Sequence, residues 1–362
     1  MTPKIPFNAL DRTFARHKQQ LLNIYETVGL SGQFVGGEAV ETFENNCAFI
    51  AQRAHGISVA SATDGLYFAM LALGIGVGDT VLTAAYSYYA TAEAIAKTGA
   101  TPVFIDVDQN YHLDLDKAAD AIEPSTRAIM VVNLFGNMVN MSEFTAFAND
   151  HNLLLIEDAA QSYGSTFKDK PSGSFGDVSV YSFDPLKQMP GTGHGGCVLT
   201  NDDDINRKVR MLAVHGRATD GRHHMLGNKS TMSSFEAAQL NYFMRIGSDF
   251  KNQRAFAANF YLLHAHNEYI TMPTVNTDTE HSWHKFVIRC ERRDELKLFL
   301  SQCGVQTQVH YGTLMPHEPV FGSTQSFPIA EKYASTSLSI PIYPELAVDE
   351  LWHIIDCLCI FC

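Results

Sequence analysis

Asp158, Gln161, Ser182 and Lys187 lie within one stretch of the chain. Two of them have the side-chain types that covalent amine chemistry needs. A lysine amine forms a Schiff base readily once burial or nearby cations lower its proton affinity. A carboxylate can keep a pyridine nitrogen protonated, so that the ring draws electrons from a bonded carbon. Pyridoxal phosphate (PLP) chemistry calls for such a set. Taken alone, Lys187 would read as a surface lysine and Asp158 as a helix cap. Their order along the chain and their place at strand ends favour the chemical reading.

The elements that must position them follow from local pattern. Leu153 to Ile156 is wholly apolar and suits a buried parallel strand covered on both faces. Glu157 and Asp158 then fall at its C-terminal end, where open α/β sheets place ligand sites. Gly176 to Phe183 alternates, with Val178, Val180 and Ser182 on one side and Ser179, Tyr181 and Phe183 on the other. It reads as a second strand. Pro185 stops that strand and leaves Lys187 in a loop beside the sheet.

Upstream, a helix is expected over 8–28, broken by Val28-Gly29-Leu30-Ser31-Gly32. Val40, Phe43 and Cys47 recur at helical spacing and predict core positions. Ile57 to Ala60 reads as a strand, and Ser61-Ala62-Thr63-Asp64-Gly65 as the turn into a helix over Leu66 to Leu73. Amides at such a helix start bind phosphate well; capping by Thr63 or Asp64 is compatible with that. Thr80–Thr83, Thr101–Asp108 and Ala128–Leu134 read as further strands. Helices end near Lys97 and span 142–151. Strand and helix alternate, which predicts an α/β fold with a mostly parallel sheet.

From about residue 246 the pattern changes. A helix is expected near 249–268, a strand over Trp283–Ile288, a helix over Arg293–Cys303 and a last helix at the C-terminus. This predicts a large domain over 1–245 and a small α+β domain over 246–362. Gly191-x-Gly193-x-x-Gly196 matches a dinucleotide fingerprint only formally, because a strand rather than a helix follows it.

Composition excludes other classes. The net charge of -13 and the lack of any Lys/Arg cluster argue against a nucleic-acid surface. No apolar run reaches membrane-spanning length, and the first residues lack the apolar core of a signal peptide. Seven cysteines give no disulfide framework. Cys357, Cys359 and Cys362 read as small hydrophobes of a packed terminal helix. His215, His223 and His224 read as a polar loop, and no metal site is expected. A cytoplasmic location is the resulting expectation.

Several motifs resemble the sugar aminotransferases of the DegT/DnrJ type, which are fold-type I PLP enzymes. They are Ile156-Glu157-Asp158-Ala159-Ala160-Gln161, Gly173-Ser174-Phe175-Gly176-Asp177, Tyr181-Ser182-Phe183-Asp184-Pro185-Leu186-Lys187, and Gly195-Gly196 with Thr200-Asn201-Asp202. Ser31 to Gly37 and the Val309-His310-Tyr311-Gly312 segment with Met315-Pro316-His317 extend the likeness over nearly the whole chain. The resemblance implies a three-layer α/β/α sandwich. It also implies transamination of a nucleotide-linked keto-sugar, a 3- or 4-keto-6-deoxyhexose, with L-glutamate as donor. Lys187 would carry PLP, Asp158 would face the pyridinium, and Gln161 would bond the ring oxygen. Ser182 and the Ala62–Thr63 amides would hold the phosphate, and Tyr88 would stack on the ring. His310 and Tyr311 would meet substrate.

The resemblance further implies a homodimer. The family segment matching Gly227 to Leu240 reaches the phosphate in the partner subunit through an Asn. Lys229 stands at that position here, and Thr231 stands where an Arg is usual. Ala62 replaces a Gly, so a slightly different turn is expected there, since Ala tolerates positive φ poorly. His194 stands where an acidic residue is common. Two rival readings follow. One is a PLP-dependent sugar dehydratase, whose relatives carry His in place of the lysine. The other is a regulatory protein that binds PLP or a sugar nucleotide without turnover.

Overall fold

Parallel strands need long crossovers, and the apolar runs of this chain are separated by helices that supply them. The computed structural model describes residues 4–362. Helices α1 (Leu10–Ser31) and α2 (Glu38–Ile50) precede the sheet. Strand β1 (His55–Val59), α3 (Ala62–Ala72), β2 (Thr80–Ala84), α4 (Ala90–Lys97) and β3 (Thr101–Ile105) follow. Next come α5 (Leu115–Asp120), β4 (Thr126–Val132), α6 (Met141–Asp150) and β5 (Leu154–Asp158). A short hairpin of β6 (Thr166–Phe167) and β7 (Lys170–Pro171) leads to β8 (Val178–Ser182) and β9 (Gly196–Thr200). Then come α7 (Asp203–Leu212), α8 (Ser234–Arg245), α9 (Gly247–His264) and β10 (Thr279–Glu280). The chain closes with β11 (Phe286–Arg289), α10 (Arg293–Gln302), α11 (Pro328–Thr336), β12 (Ser337–Ile340) and α12 (Val348–Ile360).

The main sheet has seven strands in the order β1-β9-β8-β5-β4-β2-β3. Strand β9 runs antiparallel to both neighbours; the other pairs are parallel. One face packs on α3, α4 and α7 through Leu66, Ile95, Val209, Val180 and Val198. The opposite face packs on α2 and α8 at one end, through Phe43, Tyr181 and Leu240, and on α6 through Phe144 at the other. The α/β/α expectation holds. Strand β8 alternates in sequence, yet all five of its residues are buried, because helices cover both faces.

A second core gathers residues of α9, α10 and α12 around the antiparallel pair β11–β12. Ile5 and Ala9 join it from the other end of the chain.

Several local expectations need correction. Helix α1 carries Gly29 inside and ends at Gly32, which caps it at φ 66. An interior Gly costs only about 1 kcal/mol, whereas a left-handed cap satisfies orphan carbonyls. Helix α9 stops at His264, four residues early, and β11 begins at Phe286, after Trp283 turns at φ 53. Of the three C-terminal cysteines only Cys357 is buried; Cys359, and Cys362 beyond α12, are exposed, so neither packs as a small hydrophobe. Within the polar loop His224 Nε2 lies 2.9 Å from Asp220 Oδ2.

Two glycines set how closely α3 lies on the sheet. A Cβ on Gly65 would come within 2.8 Å of Val180 Cγ1. A Cβ on Gly196 would come within 2.7 Å of Ala62 N and of Ser61 C, both rigid backbone atoms. Gly196→Ala is therefore expected to destabilise the protein by about 1–3 kcal/mol, the usual range for overpacking. Thermal unfolding should show a Tm lower by roughly 2–10 °C; an unchanged Tm would mean that α3 yields freely.

Candidate functional site

The start of α3 is built for an anion. Ser61, in extended conformation, accepts a hydrogen bond from Asp64 N at 3.1 Å and so caps the helix, rather than Thr63 or Asp64. Asp64 is turned away, taking a bond from Ser230 Oγ at 2.7 Å. Ala62 is the first helical residue and has no positive φ, so the strain expected of it does not arise. The amides of Ala62 and Thr63 donate to no acceptor among the described residues. Unpaired amides and the helix dipole together favour negative charge there.

Strand β5 carries two consecutive carboxylates to opposite faces of the sheet. Glu157 is fully buried and accepts from Asn133 Nδ2, Gly173 N and Phe175 N. It fixes the turn before β8. Burial pushes its carboxyl up to about 7 despite those donors. Asp158 faces the other way. Thr91 Oγ1 donates to its Oδ2 at 2.9 Å and Ala160 N to its Oδ1 at 3.1 Å. Burial raises the Asp158 carboxyl above the usual range, while those two bonds and the charge of Lys187 oppose the rise.

Lys187 follows β8 in a turn closed by Lys187 N donating to Asp184 O at 2.9 Å. Asp184 Oδ1 accepts from Leu186 N at 3.0 Å. Burial lowers the proton affinity of the Lys187 amine, and Asp158 and Asp184 partly restore it. A buried amine that sheds its proton easily is a competent nucleophile.

These groups share a cavity of about 450 Å³. Ala62 and Thr63 of α3, Tyr88 before α4, Asp158 and Gln161 after β5, and Ser182 and Lys187 after β8 all reach its wall. His310 and Tyr311 close it from the C-terminal part. Tyr88 is 55% exposed and so is not core filler; its ring lies 5.9 Å from that of Tyr311. Gln161 takes a bond from Phe135 N at 3.0 Å and gives one to Tyr311 Oη at 3.2 Å, leaving one amide hydrogen free. His310 Nδ1 lies 2.8 Å from Ser339 Oγ, and burial pushes its imidazole down to about 3. His317 turns to Gln325 O instead.

Lys229 stands apart. It is exposed, forms a backbone bridge with Val214 and does not reach this cavity wall. The expected role was in the partner's site, which a single chain does not contain.

Sequence reasoning missed Thr91, His284 and Lys285. Thr91 was legible as a polar side chain in the first turn of a helix near the sheet. His284 and Lys285 precede β11, and no motif tied that segment to the cavity. Lys285 is 7% exposed, and burial, reinforced by Arg254 and Lys187, pushes its amine down to about 7.

The arrangement fits PLP. Free amides at a helix start suit its phosphate, a buried carboxylate suits its ring nitrogen, and a half-buried lysine of lowered proton affinity suits its aldehyde.

Comparisons with known proteins agree. Residues 16–359 match the DegT/DnrJ/EryC1/StrS aminotransferase family. The chain is 33% identical over 360 residues to a pleiotropic regulatory protein of Geobacillus stearothermophilus, covering 97% of each. It is 33% identical over 356 residues to dTDP-3-amino-3,6-dideoxy-alpha-D-galactopyranose transaminase of Aneurinibacillus thermoaerophilus, covering 97% of this chain and 98% of that one. The crystal structure of S. venezuelae DesV in complex with a ketimine intermediate matches with a TM-score of 0.96. It is 32% identical and is covered to 98%, against 99% of this chain.

The Lys285 amine gives a pH test. Its folded value of about 7 lies below the ordinary 10.5. Below pH 7 the amine is charged in both states, and the folded state bears the cost of burial. Between pH 7 and 10.5 the unfolded chain binds the extra proton, so stability rises with pH. Lys285→Met removes that dependence. In cofactor-free protein the variant should be more stable at pH 6.5, by on the order of a few kcal/mol, and the advantage should fade toward pH 10. Thermal unfolding at the two pH values checks it.

Proposed function

The chain belongs to the DegT/DnrJ/EryC1/StrS aminotransferase family, and from that premise we propose that it moves the amino group of L-glutamate to a nucleotide-linked keto-sugar. The products are 2-oxoglutarate and the amino sugar, and the acceptor class is a 3- or 4-keto-6-deoxyhexose. The observation that carries the reading is the convergence of Asp158, Lys187 and the free amides of α3 on one cavity.

PLP, when bound, supplies an electron sink for the carbon that gains or loses nitrogen. The protein does the rest. Asp158, held by Thr91 and Ala160, would keep a proton on the ring nitrogen. The Ala62 and Thr63 amides and Ser182 would hold the phosphate. Gln161 would give its free amide hydrogen to the ring oxygen, and Tyr88 would lie against the ring. Lys187 Nζ would bind the cofactor and carry a proton to and from the reacting carbon. The presence of Lys187, where the dehydratase relatives have His, favours amino transfer over dehydration.

We propose a homodimer as well. Phe14, Tyr25, Leu30, Phe34 and Val35 leave an exposed apolar face on and after α1. Phe235 continues it, 4.8 Å from the Tyr25 ring and 5.5 Å from Phe34. Faces of this kind mark association surfaces, and this one adjoins the segment carrying Lys229.

Incubation with L-glutamate should convert the bound cofactor to its amine form; a binding protein without turnover would leave it unchanged. Borohydride reduction and peptide mapping should place the pyridoxyl group on Lys187, and label elsewhere would refute the assignment. Asp158→Asn should fold yet lose most turnover.

Lys229→Ala should weaken cofactor retention about 10- to 100-fold, the scale of a hydrogen bond to a charged group. Mixed with Lys187→Ala, it should regain activity, since a heterodimer rebuilds one intact site. Equilibrium dialysis and activity after mixing check both, and unchanged retention would make Lys229 a surface residue.

A further inference from the structure

Lys285 is a second lysine in the cavity wall, and nothing in the reaction above uses it. Its backbone N donates to Phe135 O at 3.3 Å, which fixes its place before β11. Its Nζ lies 5.1 Å from the centroid of the Phe7 ring. No carboxylate pairs with it among the described residues.

The charges around it do not neutralise it. Arg254 is directed to the carbonyls of Trp283 and Ile342. His284 and His310 flank it in the same wall and are held neutral by burial. Asp158 is engaged by Thr91 and Ala160 N. Asp184 is engaged by Leu186 N, and its Oδ2 lies 3.3 Å from His194 Nδ1. Once the Lys187 amine is bonded to cofactor, Lys285 is the one ammonium left in this wall.

A cation taken out of water without a partner costs stability, and a single aromatic face recovers only a small part of that cost. Such a group is suited to a ligand of opposite charge that arrives later. The cofactor phosphate has its own amides at α3. The amino donor must bring a carboxylate into the cavity to place its α-carbon beside Lys187, and a uronate sugar would bring another. We propose that Lys285 binds a carboxylate of a reactant inside the active cavity. This rests on the transaminase reading for the donor, but not for the uronate.

The test uses holoenzyme of wild type, Lys285→Met and Lys285→Arg, in two arms. The first follows conversion of the cofactor by L-glutamate in single turnover and measures the affinity for 2-oxoglutarate by calorimetry. The second measures binding of UDP-glucuronate against UDP-glucose. Lys285→Met should weaken one carboxylate ligand roughly 10- to 100-fold. The rate at saturation and the affinity for UDP-glucose should change little, and Lys285→Arg should restore most of the loss. Loss in the first arm assigns the donor's carboxylate; loss for UDP-glucuronate alone assigns a sugar carboxylate. Equal behaviour of wild type and Lys285→Met in both arms, absence of binding included, overturns the proposal. So does a parallel fall in saturating rate and UDP-glucose affinity, the mark of a structural role. Lys285→Gln replaces the Met variant if that does not fold. Wild type that does not convert its cofactor with glutamate refutes the transaminase reading instead, and the UDP-glucuronate arm still tests Lys285.

Discussion

Asp158 and Lys187 face one cavity from the ends of adjacent parallel strands, the carboxylate buried and the lysine half-buried. Burial works against the charge on each, and each partly restores the other's. That balance is possible only if both side chains stay where they are. Thr91 and Ala160 N hold the carboxylate, and the Asp184–Lys187 turn holds the amine. These contacts keep the two groups opposed across the cavity without a direct ion pair between them among the described residues.

The sheet supplies the stiffness. Glu157, one residue before Asp158, points to the opposite face and ties down the turn at Gly173–Phe175. Arg53 donates to three carbonyls of the same turn. Strand β8 is thus anchored at its entry, so Lys187 at its exit has a defined place. On the other side of the cavity, Gly65 and Gly196 let α3 lie against β8 and β9, which brings its free amides to the wall. A side chain at either position would shift the anion cradle away from Lys187 and Asp158.

The C-terminal part adds a different property. It contributes His284, Lys285, His310 and Tyr311, so the second half of the cavity is cationic or neutral rather than acidic. Tyr86 joins the two parts, donating to His310 O at 2.6 Å and accepting from Tyr311 N at 2.7 Å. In a chain with a net charge of -13, that half of the wall carries Lys285 and no carboxylate.

The amino-acid sequence by itself determined the α/β alternation, the two strands over Leu153–Ile156 and Gly176–Phe183 that carry Asp158 and Ser182 near their C-terminal ends, and the placing of Lys187 beyond Pro185. Those features are local: an apolar run, a period of two, a proline that cannot continue a strand. It also marked Ala62, Thr63, Gln161, Ser182, Tyr88, His310 and Tyr311, which the fold brings to one wall. The tertiary structure alone decided the engagement of Thr91 with Asp158 and the arrival of His284 and Lys285. It also decided that Ile5 packs with residues from the far end of the chain. These depend on contacts between segments distant in sequence, and spacing within one segment carries no information about them. Proton affinities belong to the same class, because burial shifts them and burial exists only once the chain has closed around the site.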